Sequence, residues 1–138
     1  MSAVLNTLKR GGPPTLSAAQ WLERLRGRTQ RGESPGMFAF YSSVVDAITT
    51  EPELFSVPID DHAICRGHAV FDTCSLRNGR LYRLGVHLER LLDSAEAARI
   101  SLPHGDTRAQ AKERITDLVS ATCAAGEMRM PPGGVVDG

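Results

Sequence analysis

The sequence has no surplus of charge. Sixteen basic residues balance sixteen acidic ones, so no overall field draws the chain onto nucleic acid or an anionic membrane. It has little cysteine. Cys65, Cys74 and Cys123 are odd in number and none is spaced as CxxC, which argues against a disulfide framework and for a reducing compartment, with the cytoplasm as the expected location. It has no apolar run approaching a membrane span or a signal-peptide core, so no membrane partner is expected. Neither GxGxxG nor a Walker A pattern occurs, which removes the common nucleotide-phosphate loops. Acid is missing from the first twenty-two residues, which carry Lys9 and Arg10; that composition is weakly similar to an organelle transit segment.

What is present fits one domain. A chain of 138 residues buries roughly two-thirds of its unfolded surface. "KRGGPPT", residues 9–15, reads as a linker. Ser17 can cap a helix through residues 18–32, with Trp21, Leu22 and Leu25 on one side. Residues 1–36 therefore form an N-terminal extension. From residue 37 the composition changes to "MFAFYSSVVDAITT", whose aromatic and β-branched residues predict a buried strand. A further short extended piece, broken by Pro58, leads to a polar loop at Asp60–His62. The domain proper spans 37–125, and residues 126–138, rich in glycine and proline without periodicity, read as a disordered tail.

Asn78-Gly79 is the strongest hairpin signal in the chain, because both central positions of a type I′ turn need positive φ. A two-residue loop sets Arg77 opposite Arg80, Leu76 opposite Leu81 and Ser75 opposite Tyr82. The following segment, "GVHLERLLDSAEAARI", predicts a helix that buries Leu88, Leu91, Leu92 and Ala95. His87, Arg90 and Ser94 line the flank of that stripe. A second helix is predicted after an Asp106 cap, with Ile115, Leu118, Val119 and Thr122 inward. Strands followed by helices, with a hairpin between them, argue an α+β fold built on an antiparallel sheet.

Several patterns invite chemistry. His62, Cys65 and His68 are spaced as HxxCxxH, yet no fourth ligand is close, so hydrogen-bonding histidines are expected before zinc. Arg24, Arg26, Arg28 and Arg31 make the first helix basic. Without interleaved aromatics, a solvated face is expected before a nucleic-acid arm. Nothing near Cys74 in sequence supplies the base that a cysteine nucleophile needs. Arg90, by spacing alone, is a basic side chain edging an apolar stripe.

The string "DDHAICRGHAVFDTCSLRNGRLYRLGVHLERLLDSAEAARISLP" changes that last reading. It closely resembles the small N-terminal domain of class IV aminotransferases, pyridoxal-phosphate enzymes of fold type IV, and is most similar to the D-amino-acid aminotransferase-like subgroup. The resemblance covers roughly residues 37 to 120. It implies reversible amino-group transfer between an amino acid and a 2-oxo acid, with pyridoxal 5′-phosphate as cofactor. In that family the arginine of the HLxRL helix binds the cofactor phosphate, and it matches Arg90. A guanidinium fork suits the task because it donates parallel charge-assisted hydrogen bonds. Phe71 matches an aromatic residue, often tyrosine, that lines the substrate pocket; it keeps the ring and lacks the hydroxyl.

The resemblance also implies what this string does not contain. The family's imine-forming lysine and the carboxylate that meets the pyridine nitrogen belong to a second domain. Lys9 and Lys112 are the lysines of this sequence, and neither matches the catalytic position. The expectation is therefore a detached or truncated small domain, inactive alone, with no catalytic residue of its own. As an alternative, it is a module that dimerises with itself or with a full-length relative.

Overall fold

Ser17 starts the first helix as its spacing predicts. In the computed structural model, which describes residues 13–30 and 38–127, α1 spans Ala18–Gln30. The Gln20 amide donates to Ser17 Oγ at 3.4 Å and the Ser17 amide donates to Gln20 Oε1 at 2.9 Å, a reciprocal capping box. Leu22 and Leu25 are half-buried, whereas Trp21 is exposed. Contacts divide the chain into two units, Met1–Ser34 and Pro35–Gly138, and α1 lies in the first.

The second unit is mixed α+β, with two small antiparallel sheets. The single buried strand expected over residues 37–48 is instead a hairpin. Strands β1 (Phe40–Ser42) and β2 (Ala47–Thr49) pair with Tyr41 opposite Ile48. Asp46 takes φ +48° in the turn, a conformation that aspartate tolerates better than most residues. Its carboxylate accepts a 2.9 Å hydrogen bond from the Tyr41 hydroxyl, which ties the turn to the strand and raises the Tyr41 pKa. Val44 and Val45 stand exposed at the tip.

Residues 52–54 form a 3-10 turn. The loop expected at Asp60–His62 opens a one-turn helix, α2 (His62–Cys65), because Asp61 Oδ1 caps the Ala63 amide at 2.7 Å. The predicted NG hairpin forms β3 (Leu76–Arg77) and β4 (Arg80–Leu81), with Leu76 opposite Leu81 and Arg77 opposite Arg80. Asn78 and Gly79 both have positive φ, +50° and +70°, as a type I′ turn demands. The Tyr82 amide donates to the Ser75 carbonyl at 2.8 Å, extending the ladder by one step.

Helix α3 (Leu84–Ala97) follows directly. It ends in a Schellman motif: the Ile100 amide reaches the Ala95 carbonyl and the Arg99 amide the Glu96 carbonyl, with Arg99 at φ +55°. Helix α4 runs Arg108–Glu127. Asp106 is not its cap. Thr107 and Gln110 form a second capping box, while Asp106 pairs with Arg114 at 2.9 Å. The last turn of α4 holds Gly126 and Glu127, so these two residues are helical and not tail; residues 128–138 lie outside the described residues.

Helix α4 packs against α3 and against both β1 and β2. A Cβ at Gly126 would sit 3.4 Å from the Cβ atoms of Phe38 and Ala39, so the missing side chain permits that close approach. The core is small. Leu88, Leu92 and Ala95 of α3 and Ala111 of α4 are its buried apolar residues among those described, while Ile115, Leu118, Val119 and Thr122 are half-buried.

Candidate functional site

The chain from Ala69 to Leu76 approaches β3 in an extended path. Val70, Asp72, Cys74 and Leu76 are partly covered, and Ala69, Phe71, Thr73 and Ser75 are exposed. That is the period-2 alternation of a strand with one covered face, although residues 69–74 carry no ladder. The Cys74 thiol donates to the Tyr82 carbonyl at 3.1 Å, fastening the segment beside the hairpin. Asp72 thereby falls on the inner face. Phe71 falls on the outer one, 88% exposed.

Helical spacing places His87 and Arg90 one turn apart on α3, facing this segment. His87 Nδ1 lies 2.8 Å from Asp72 Oδ1, and Arg90 Nε lies 3.5 Å from Asp72 Oδ2. The Thr73 amide also donates to Oδ1, at 2.7 Å. The Asp72 side chain is 10% exposed, and that of Arg90 is 67% exposed. One nearly covered carboxylate thus grips the root of an otherwise open guanidinium. The hydrogen bond from His87 is the main reason that the Asp72 carboxyl is held below its ordinary range; the Thr73 amide and the Arg90 charge act in the same direction.

Arg90 therefore sits where its spacing predicts, on the flank of α3 beside residues 69–76. Ser94 does not join it: its hydroxyl donates to the Arg90 carbonyl within the helix, at 2.8 Å. Phe71 and Arg90 are not brought to one face, since Asp72 intervenes and points the other way from Phe71. Asp72 is the residue that sequence reasoning missed. Its position within "AVFDT" gave no hint that it faces the helix.

Lys112 is committed elsewhere. Its Nζ lies 2.5 Å from Glu89 Oε1, and Arg108 donates to Glu89 Oε2 at 2.7 Å and to Asp93 at 2.5 Å. These pairs clasp α3 to α4. The Lys112 hydrogen bond, then that of Arg108, lowers the Glu89 pKa. Lys9 lies outside the described residues.

Of the HxxCxxH residues, His62 and His68 stand near each other, ring centroids 6.4 Å apart. Cys65 lies near the Asp60 carbonyl at 3.6 Å, and His68 Nε2 is 2.9 Å from the Ala98 carbonyl at the end of α3. Among the described residues, no group of three or more His, Cys, Asp or Glu is placed to hold a metal ion. No described helix is long and apolar enough to cross a membrane. Burial raises the Cys123 pKa, the reverse of an activated thiolate.

On this small α+β unit, an exposed guanidinium thus stands beside a nearly covered carboxylate on the flank of α3. The chain is 44% identical over 117 residues to the chloroplastic D-amino-acid transaminase of Arabidopsis thaliana, a match covering 84% of this chain and 30% of that relative. The chain thus spans less than a third of the relative's length. This likeness supports the aminotransferase family for the sequence. No family model matches, and no solved structure matches.

Proposed function

We propose that this chain supplies the cofactor-phosphate anchor of a pyridoxal-phosphate enzyme similar to D-amino-acid and branched-chain aminotransferases, with Arg90 as the anchor. The observation that carries this reading is the Arg90 geometry: its Nε is held beside Asp72 while most of the side chain stays open. A guanidinium fork suits a phosphate monoester. When bound, pyridoxal phosphate supplies the electron sink of amino-group transfer. The residues present fit its phosphate and do not fit its imine, because Lys112 is paired with Glu89 between two helices. Phe71 offers an aromatic wall to the substrate, an amino acid or 2-oxo acid, on the outer face of its segment.

The 138-residue chain alone is then a binder and not a transaminase. One charge-assisted contact contributes about 1.5–3 kcal/mol, against roughly 8 kcal/mol for micromolar affinity. Titration with pyridoxal 5′-phosphate should show weak association that pyridoxal does not reproduce and that Arg90→Ala abolishes. Borohydride should trap no single specific imine. Steady turnover of an amino acid and 2-oxo acid pair by this chain would refute the reading. The chloroplast location in the relative's name, with the acid-free N-terminal composition, favours a plastid over the cytoplasm; import of a fluorescent fusion into isolated chloroplasts tests this.

A second reading rests on a different observation. Phe71, Ile59, Ile64, Val57 and Tyr82 are all more than half exposed, and such a set suits a surface that a partner covers. On this reading the chain docks on itself or on a longer relative. Co-purification of a tagged chain with a co-expressed full-length relative, at a fixed ratio, is the expected result; recovery of the tagged chain alone would count against it.

A further inference from the structure

We infer that Asp72 is a positioning residue for Arg90, fixing the guanidinium so that its two terminal nitrogens face outward as a ready fork for a phosphate monoester. This rests on the phosphate role proposed for Arg90 and adds what makes that role work. The distribution of contacts over the two carboxylate oxygens, two hydrogen bonds on one and an ion pair on the other, carries it. Oδ1 of Asp72 is occupied by the Thr73 amide at 2.7 Å and His87 Nδ1 at 2.8 Å. Oδ2 is left for Arg90 Nε at 3.5 Å. With the carboxylate fixed by its own backbone and by a helix side chain one turn before Arg90, the arginine is held at the Nε edge.

The arrangement has an electrostatic cost that makes the inference sharp. A carboxylate beside an anion site repels the anion, so on charge alone removing Asp72 should tighten phosphate binding. Orientation works the other way: a long side chain that must be ordered on binding gives up part of its interaction energy. The sign of the effect of Asp72→Ala therefore separates the two roles. Asp72→Glu keeps two carboxylate acceptors and acts as the conservative rescue, whereas an asparagine would turn an NH2 donor toward the Nε–H.

The test is side-chain NMR of the full chain, labelled at arginine. The probe is pyridoxine 5′-phosphate, which has no aldehyde and forms no imine with Lys9 or Lys112. In the ligand-free protein, Arg90 Nε–H should be rigid and slow to exchange, and should become mobile in Asp72→Ala but not in Asp72→Glu. Phosphate affinity should fall about tenfold in Asp72→Ala and stay within about threefold of wild type in Asp72→Glu, the tenfold change corresponding to about 1.4 kcal/mol. An Arg90 Nε equally rigid in wild type and Asp72→Ala, or tighter phosphate binding in Asp72→Ala, overturns the inference. A rigid Nε in wild type with no phosphate-dependent shift at Arg90 overturns instead the phosphate role on which it rests.

Discussion

Asp72 hydrogen-bonds a backbone amide and an imidazole and pairs with a guanidinium at 3.5 Å, and its carboxyl is held below its ordinary value of 3.8. Glu89, between Lys112 and Arg108, is held below 4.5. A carboxylate whose folded pKa is depressed contributes stability that is complete above its unfolded pKa and lost as pH falls through the folded one. Both groups therefore predict stability that begins to fall near pH 4.5 and continues to fall below 3.8. Urea midpoints measured across that range should drop in wild type, and less steeply in Asp72→Asn and Glu89→Gln. Equal slopes in all three chains would refute the assignment. The place of Arg90 was legible in sequence because helical spacing puts it on the border of a leucine stripe, whereas its choice as a site residue came from the resemblance of the surrounding string. Its partner was not legible. Asp72 sits beside Val70 and Phe71, and only the alternation imposed by the Cys74 and hairpin contacts decides which of these side chains turns toward α3.

Among elements, the legible ones are those whose local chemistry settles the matter. Asn78-Gly79 can take positive φ at both positions, and the hairpin forms in the predicted register. Gly79→Val should cost about 1–2 kcal/mol, the penalty for placing a Cβ in the left-handed region, read as a lower urea midpoint. The Ser43–Asp46 turn was illegible for the opposite reason, since Val44 and Val45 are strand formers by propensity. The turn depends on Asp46 at positive φ and its bond from Tyr41, neither of which a β-propensity reading contains. The end of α3 shows the same conflict. Its Schellman motif puts Arg99 at φ +55°, where glycine would be at ease. Arg99→Gly should therefore stabilise the chain, by up to about 1 kcal/mol after the greater freedom of glycine in the unfolded state is subtracted. A lowered melting temperature in that variant would show that the arginine side chain contributes more than its backbone strain costs.

For the molecule as a whole, the described core is thin for the apolar surface around it. Leu88, Leu92, Ala95 and Ala111 are buried, while Phe71 at 88% and Ile59 at 82% exposure stand open with Val44, Val45 and Tyr82. With so few buried side chains, each matters more. Leu92→Ala, which truncates a nearly covered leucine of α3, should cost about 2–5 kcal/mol, against a total that for ordinary domains is about 5–15 kcal/mol. Cooperative unfolding should be weakened severely or lost in that variant. The exposed set leads to the opposite kind of test, because those side chains are largely open to solvent. The purified chain should bind a hydrophobic dye strongly and sediment as a concentration-dependent mixture of monomer and larger species. Phe71→Ser with Ile59→Ser should reduce both effects without lowering the melting temperature, since neither ring nor branch is packed. A dye-silent, strictly monomeric wild type would mean that these side chains need no cover, and the docking reading would fall with them. Loss of self-association in the double variant, with Arg90-dependent phosphate binding retained, would instead separate the two surfaces: an apolar outer face for a partner, and an inner flank, set by Asp72, for an anion.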